Sequence, residues 1–104
     1  MKYAIDFDSV LCERYGIPTK MDFYDCPPTE DAVEAIKWLK KCGHEVYILT
    51  ANEPKTWPKM AKWLKEWQFP KLRITNIKEV GTKAFIDDRA IRFDNWQNIR
   101  KLLE

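Results

Sequence analysis

Paired cysteines, a long apolar run and a strong charge of either sign are all missing from this 104-residue sequence. Its three cysteines, Cys12, Cys26 and Cys42, are odd in number and lack Cys-x-x-Cys spacing, so they suggest neither a disulfide framework nor a zinc site. No apolar stretch approaches the ~20 residues of a membrane span. The chain enters an apolar strand at Tyr3, leaving no room for a leader, and a reducing cytoplasm is the expected home. A formal net charge of +2 is too weak to argue for nucleic acid or a membrane surface. No internal repeat or low-complexity tract interrupts the chain. What remains, 45% hydrophobic and 33% charged residues, is the balance of a soluble globular chain, and residues 1–104 are the length of one domain.

The most informative stretch is Ala4-Ile5-Asp6-Phe7-Asp8-Ser9-Val10-Leu11. A short apolar run reads as a buried strand, and it ends in two aspartates one residue apart. Alternation puts Asp6 and Asp8 on one side of the backbone and Phe7 on the other. Burying an ionised carboxylate costs several kcal/mol unless it is paired or metal-bound. Asp8-Ser9 is also good turn chemistry, so both acids can equally be read as facing water.

From there the chain alternates strand and helix. Residues 9–28 read as an irregular, flap-like segment with Gly16, Pro18, Pro27 and Pro28. Thr29 is placed to cap a helix whose Ala32, Ala35, Ile36 and Leu39 recur at helical spacing, with Gly43 as its stop. Glu45–Thr50 is a β-branched and aromatic strand. A second helix has Pro58 in its first turn and an apolar stripe of Met60, Trp63, Leu64 and Trp67; the tryptophans read as core packing. A short strand over 72–75, a connection over 76–83, a strand Ala84–Asp87 and a last helix from about Asn95, with Trp96, Ile99, Leu102 and Leu103 on one face, complete the chain. Such alternation predicts a Rossmann-like, three-layer α/β/α fold with a mainly parallel sheet and helices on both faces.

Two strands therefore end in acidic pairs, Asp6/Asp8 and Asp87/Asp88. In a parallel sheet these ends share one edge, where open α/β sheets bind ligands. Four carboxylates on neighbouring strands would repel one another unless a cation sat among them. Hard oxygen ligands select Mg²⁺, which keeps waters and accepts a substrate phosphate. Thr50 ends a third strand at the same edge. The pattern predicts a Mg²⁺-assisted phosphate site.

These residues resemble the haloacid dehalogenase-like (HAD) phosphohydrolase superfamily over nearly the whole chain. Asp6-Phe7-Asp8-Ser9-Val10 matches its first motif, Thr50 after Val46-Tyr47-Ile48-Leu49 its second, and Ile86-Asp87-Asp88 its fourth. The third motif is a lysine, with two candidates. Lys78 follows the third strand at the site edge, whereas Lys83 lies four residues before Asp87, roughly 13 Å back along a strand. Asn76-Ile77-Lys78-Glu79 is similar to small bacterial and phage members.

The resemblance implies phosphoryl transfer in two steps. Asp6 is the nucleophile and Asp8 the general acid and base. Mg²⁺ is held by Asp6, the Asp8 carbonyl, and Asp87 or Asp88. Thr50, Lys78 and the Ser9 amide bind phosphoryl oxygens. No gap is long enough for a cap domain, so the site should be open, or capped by a second copy in a homo-oligomer. The substrate is then a phosphorylated small molecule or the phosphorylated end of a macromolecule. Arg14, Asn52, Arg89 and Arg92 can line the mouth, although an ordinary surface role accounts for each as well. Lys55, Lys59, Lys62 and Lys65 suit a nucleic-acid end-processing phosphatase and a solvated helix face alike. A non-catalytic phosphate-binding or protein-binding module is the third alternative, but it would not need the second aspartate. Cys12 reads as packing and His44 as structural.

Overall fold

The computed structural model describes residues 1–14 and 22–104. Strands β1 (Lys2–Ile5), β2 (Glu45–Leu49), β3 (Ile74–Thr75) and β4 (Thr82–Ile86) form one sheet in the order β3-β2-β1-β4. Every pairing is parallel, with β1 central between β2 and β4. Helix α1 (Ala32–Lys41) lies between β1 and β2 and α2 (Trp57–Glu66) between β2 and β3, while β3 runs to β4 without a helix and α3 (Trp96–Leu103) follows β4. The α/β class and the parallel sheet are those expected. Among the described residues no helix is long and apolar enough to cross a membrane.

The layering is less even than the expected helices on both faces. Ile5, Val46 and Ile48, which share one face by alternation, lie in a single buried core with Ile36 of α1 and Met60, Trp63 and Leu64 of α2. Trp63 anchors that core. Its ring meets Phe7 and Phe69 at 5.2 and 5.6 Å between centroids, and its Nε1 donates to the Cys26 carbonyl at 2.9 Å. Each large apolar side chain buried this way stabilises the fold by ~1.5–3 kcal/mol. Of the two tryptophans read as core packing only Trp63 is buried: Trp67 is 44% exposed, its ring 6.3 Å from that of Trp63.

The opposite face is crossed by residues 76–81, which carry the chain from β3 at one edge to β4 at the other. Tyr47 of β2 fastens this connection, its hydroxyl accepting from the Glu79 amide at 3.1 Å and bonded to Thr82 Oγ1 at 2.8 Å. At the amino ends of the strands the Arg73 guanidinium donates to Glu45 and Glu79, and Lys2 donates to Glu79 at 3.2 Å. Arg73 beside it holds the Glu79 carboxyl down to about 2. The clamp returns the chain to the edge where a parallel β4 must start.

Two local readings change. Thr29 does not cap α1. Its hydroxyl donates to the Val10 carbonyl and ties the turn after β1 to the helix, while Asp31 occupies the N-cap in the left-handed region with no side-chain cap bond. Gly43, at φ +86°, does stop the helix as its lack of a Cβ allows. Of the flap-like segment 9–28, positions 15–21 lie outside the described residues. The described remainder holds a 3-10 turn, Phe23–Asp25, and bridges from Cys12 to Asp8 and Pro28.

Candidate functional site

The carboxyl edge of the sheet gathers the acids. Asp6 follows β1, and its amide donates to the Ile86 carbonyl of β4 at 2.9 Å, so the chain leaves both strands side by side. Carboxylate oxygens of Asp6, Asp87 and Asp88 consequently lie within 4.8 Å of one another. Burial pushes the Asp6 carboxyl up to about 6; repulsion from Asp87, Asp88 and Asp8 adds to this, and donation from the Phe7 amide at 2.8 Å opposes it. A half-buried acid facing two others is a site with excess negative charge.

This donor set fits a hard divalent cation. Oxygens on opposite sides of Mg²⁺ or Ca²⁺ sit roughly 4–5 Å apart, so three carboxylates this close can share one ion. The Asp8 carboxylate is not part of the trio. It turns to β2, accepting from Asn52 Nδ2 at 3.2 Å, with Arg14 Nη1 at 3.8 Å from Oδ1. Asp8 Oδ1 is buried and, among the described residues, has no hydrogen-bond partner. The Asp8 carboxylate thus stands outside the group that could share one ion, with Asn52 and Arg14 as its side-chain neighbours.

Thr50 lies one residue past β2, buried, its amide donating to the Thr75 carbonyl at 2.9 Å. Its Oγ1 accepts from the Asn52 amide at 3.0 Å, and among the described residues the hydroxyl proton is given to no acceptor. Asn52 is itself held by Trp57, whose Nε1 donates to the Asn52 carbonyl at 2.9 Å. Asn52, which the sequence offers as a possible substrate contact or an ordinary surface residue, is bonded through its side chain to Asp8. No spacing rule signals a bond between positions so far apart.

The Ser9 amide is not available as an anion donor. Ser9 adopts φ 69°, and its N–H donates to the Cys12 carbonyl at 2.9 Å while its hydroxyl donates to the Arg14 carbonyl at 2.8 Å. Both groups serve the turn itself. Cys12 is fully buried, and burial pushes its thiol up to about 12, which leaves it inert at neutral pH. The Lys78 ammonium lies over the Phe85 ring, 5.2 Å from its centroid, two residues before Asp87. Lys83 is the second residue of β4, near the amino-terminal edge. Arg89 is exposed, its amide donating to Asp87 Oδ1 at 2.8 Å. On α2, Lys59 pairs with Asp22 and lies over the Phe23 and Tyr24 rings, and Lys62 lies over Tyr24, so two of the four lysines are tied to the 3-10 turn. His44 packs edge-on against Tyr3 before β2, away from the acids.

No family model matches the chain. A protein of Bacillus cereus named "Putative nucleotidase" is 32% identical over 95 residues, covering 80% of this chain and 47% of that protein. A protein of Oceanobacillus iheyensis with the same designation is 41% identical over 51 residues, 48% of this chain and 27% of that one. The chain thus spans half or less of the length of the curated relatives it matches. A solved structure of a conserved protein from Bacteroides thetaiotaomicron superposes with a TM-score of 0.67 at 19% identity, covering 99% of this chain and 88% of its own. The last similarity is one of fold: a parallel α/β sheet whose carboxyl edge, in this chain, carries three converging carboxylates.

Proposed function

We propose that this chain is a Mg²⁺-dependent phosphomonoesterase of the HAD-like type, acting through an aspartyl-phosphate on Asp6. The observation that carries the reading is the convergence of Asp6, Asp87 and Asp88 within 4.8 Å, with Asp8 held apart from them by Asn52. A cation bound there would neutralise charge on the nucleophile and on the phosphate it attacks. Asp6 Oδ would form the bond to phosphorus as the leaving oxygen departs. Asp8 would give that oxygen its proton and later take one from the water that hydrolyses the acyl phosphate. The Thr50 hydroxyl and the Lys78 ammonium would hold phosphoryl oxygens.

The names of the two relatives favour a nucleotide as the phosphoester. Engagement of Lys59 and Lys62 by the 3-10 turn weighs against a long nucleic-acid track beside the site. The test is phosphate release from nucleoside monophosphates, sugar phosphates, p-nitrophenyl phosphate and end-phosphorylated oligonucleotides. Each is run with Mg²⁺ or EDTA, using wild type and Asp6→Asn. Mg²⁺-dependent release, fastest on nucleoside monophosphates and lost in the variant, is expected. Release that persists in Asp6→Asn would remove Asp6 as the nucleophile.

A further inference from the structure

Two unfilled apolar surfaces face solvent on the same chain. Helix α3 has no buried residue, and Trp96, Leu102 and Leu103 are 66–70% exposed along one stripe with Ile99. Beside α1, a groove of about 240 Å³ opens onto the sheet, floored by Ile5 and Ile86 and walled by Ala35, Ile36 and Leu39. Among the described residues nothing fills it, and Ile86, the last residue of β4, is 44% exposed there. The chain is extended accordingly. Its radius of gyration is 14.8 Å, against about 13 Å for a compact domain of this length.

The charges around these surfaces are opposite. Glu30 and Asp31 lie on the groove, and Glu34 is in the first turn of α1. The last turn of α3 carries Arg100 and Lys101. None of these five takes part in an ion pair among the described residues. A basic, apolar-striped helix and an acidic-rimmed apolar groove complement one another, yet within one copy no residue of α3 lines the groove and none is buried.

We infer that the groove receives α3 of a second copy of this chain, and that the exchange is reciprocal. A two-fold axis satisfies both surfaces of both copies with one operation, and exchange of an identical element is a low-cost route to a dimer. An exposed tryptophan brings about 200 Å². With Ile99, Leu102 and Leu103, counted twice by symmetry, the contact approaches the ~1,200 Å² at which specific interfaces begin. The inference is independent of the chemistry at the acidic edge.

Sedimentation equilibrium at micromolar concentration tests it with three proteins whose folding is checked by circular dichroism. Wild type should have twice the chain mass. Leu103→Glu, on the exposed helix stripe, and Ala35→Glu, on an exposed wall of the groove, should each be monomeric. Mixing the two variants should restore dimers in part, because a sound groove on one meets a sound helix on the other. A monomeric wild type overturns the inference, whether Trp96 fluorescence shows that ring buried by its own chain's groove or left in water. Dimers that survive both substitutions, or variants that stay monomeric when mixed, overturn it equally.

Discussion

Asn52 donates from its side-chain amide to Asp8 Oδ2 at 3.2 Å, although 44 positions separate the two residues. The same residue's backbone amide donates to Thr50 Oγ1, and its carbonyl accepts from Trp57. One asparagine thus sets the Asp8 carboxylate relative to the Thr50 hydroxyl.

Replacing Asn52 by Ala should lower turnover by about 10- to 100-fold, the range for removing a side chain that orients a reacting group. Because the residue positions Asp8, the loss should fall mainly on kcat. Steady-state kinetics of Asn52→Ala against wild type checks both. A loss confined to KM would instead make Asn52 a substrate contact.

Asp6→Asn should be inactive yet more heat-stable than wild type in EDTA at pH 8. The substitution removes a half-buried charge that faces Asp87 and Asp88, and sites strained for function commonly trade stability for activity. A thermal melt of the two proteins in EDTA decides it. A lower Tm in the variant would mean that the carboxylate is satisfied without a cation.

The pH dependence follows from the same group. Asp6 titrates near 6 in the folded chain and near 3.8 when unfolded. Between those values the folded state holds more protons than the unfolded state, so stability falls as pH rises through this window. The lowered carboxyls of Asp22, Glu45, Glu79 and Asp94 act below about pH 4.5 and do not mask the effect. In EDTA the Tm of wild type relative to Asp6→Asn should therefore drop from pH 5 to pH 7. Saturating Mg²⁺ should reverse that drop, with a larger gain in Tm at pH 7 than at pH 5.

Tyr47→Phe should destabilise the fold by roughly 1–3 kcal/mol in urea titrations, since it strands the Glu79 amide and removes the bond to Thr82 Oγ1. The 76–81 connection also carries Lys78. Loosening it should raise KM for a phosphoester several-fold, whereas Trp63→Phe, which empties the donor to the Cys26 carbonyl in the core, should reduce stability by a similar amount with KM unchanged.

The strand ends were readable in the sequence because a parallel sheet leaves little choice: acids that close β1 and β4 must share an edge once those strands are neighbours. Thr50 followed from the same logic. The bond from Asn52 to Asp8 was not readable, since it joins two loops whose separation is set by packing under Trp57. The Ser9 amide was misjudged for a local reason. Its positive φ folds the turn back on Cys12, and no residue in the stretch announces that as a glycine would. The periodicity of Trp96, Ile99, Leu102 and Leu103 gave α3 an apolar stripe, but a stripe carries no information on which surface covers it.

The central position of β1 has a consequence for synthesis. Among the described strands, β1 comes first in sequence and its second neighbour, β4, comes last, so Lys2 waits for Thr82 to complete its ladder. Contacts of that sequence separation close slowly. As the chain leaves the ribosome, β1 and β2 can pair early, but one edge of β1 stays open until β4 emerges. The three carboxylates therefore meet only through the pairing of greatest sequence separation in the sheet, that of β1 with β4.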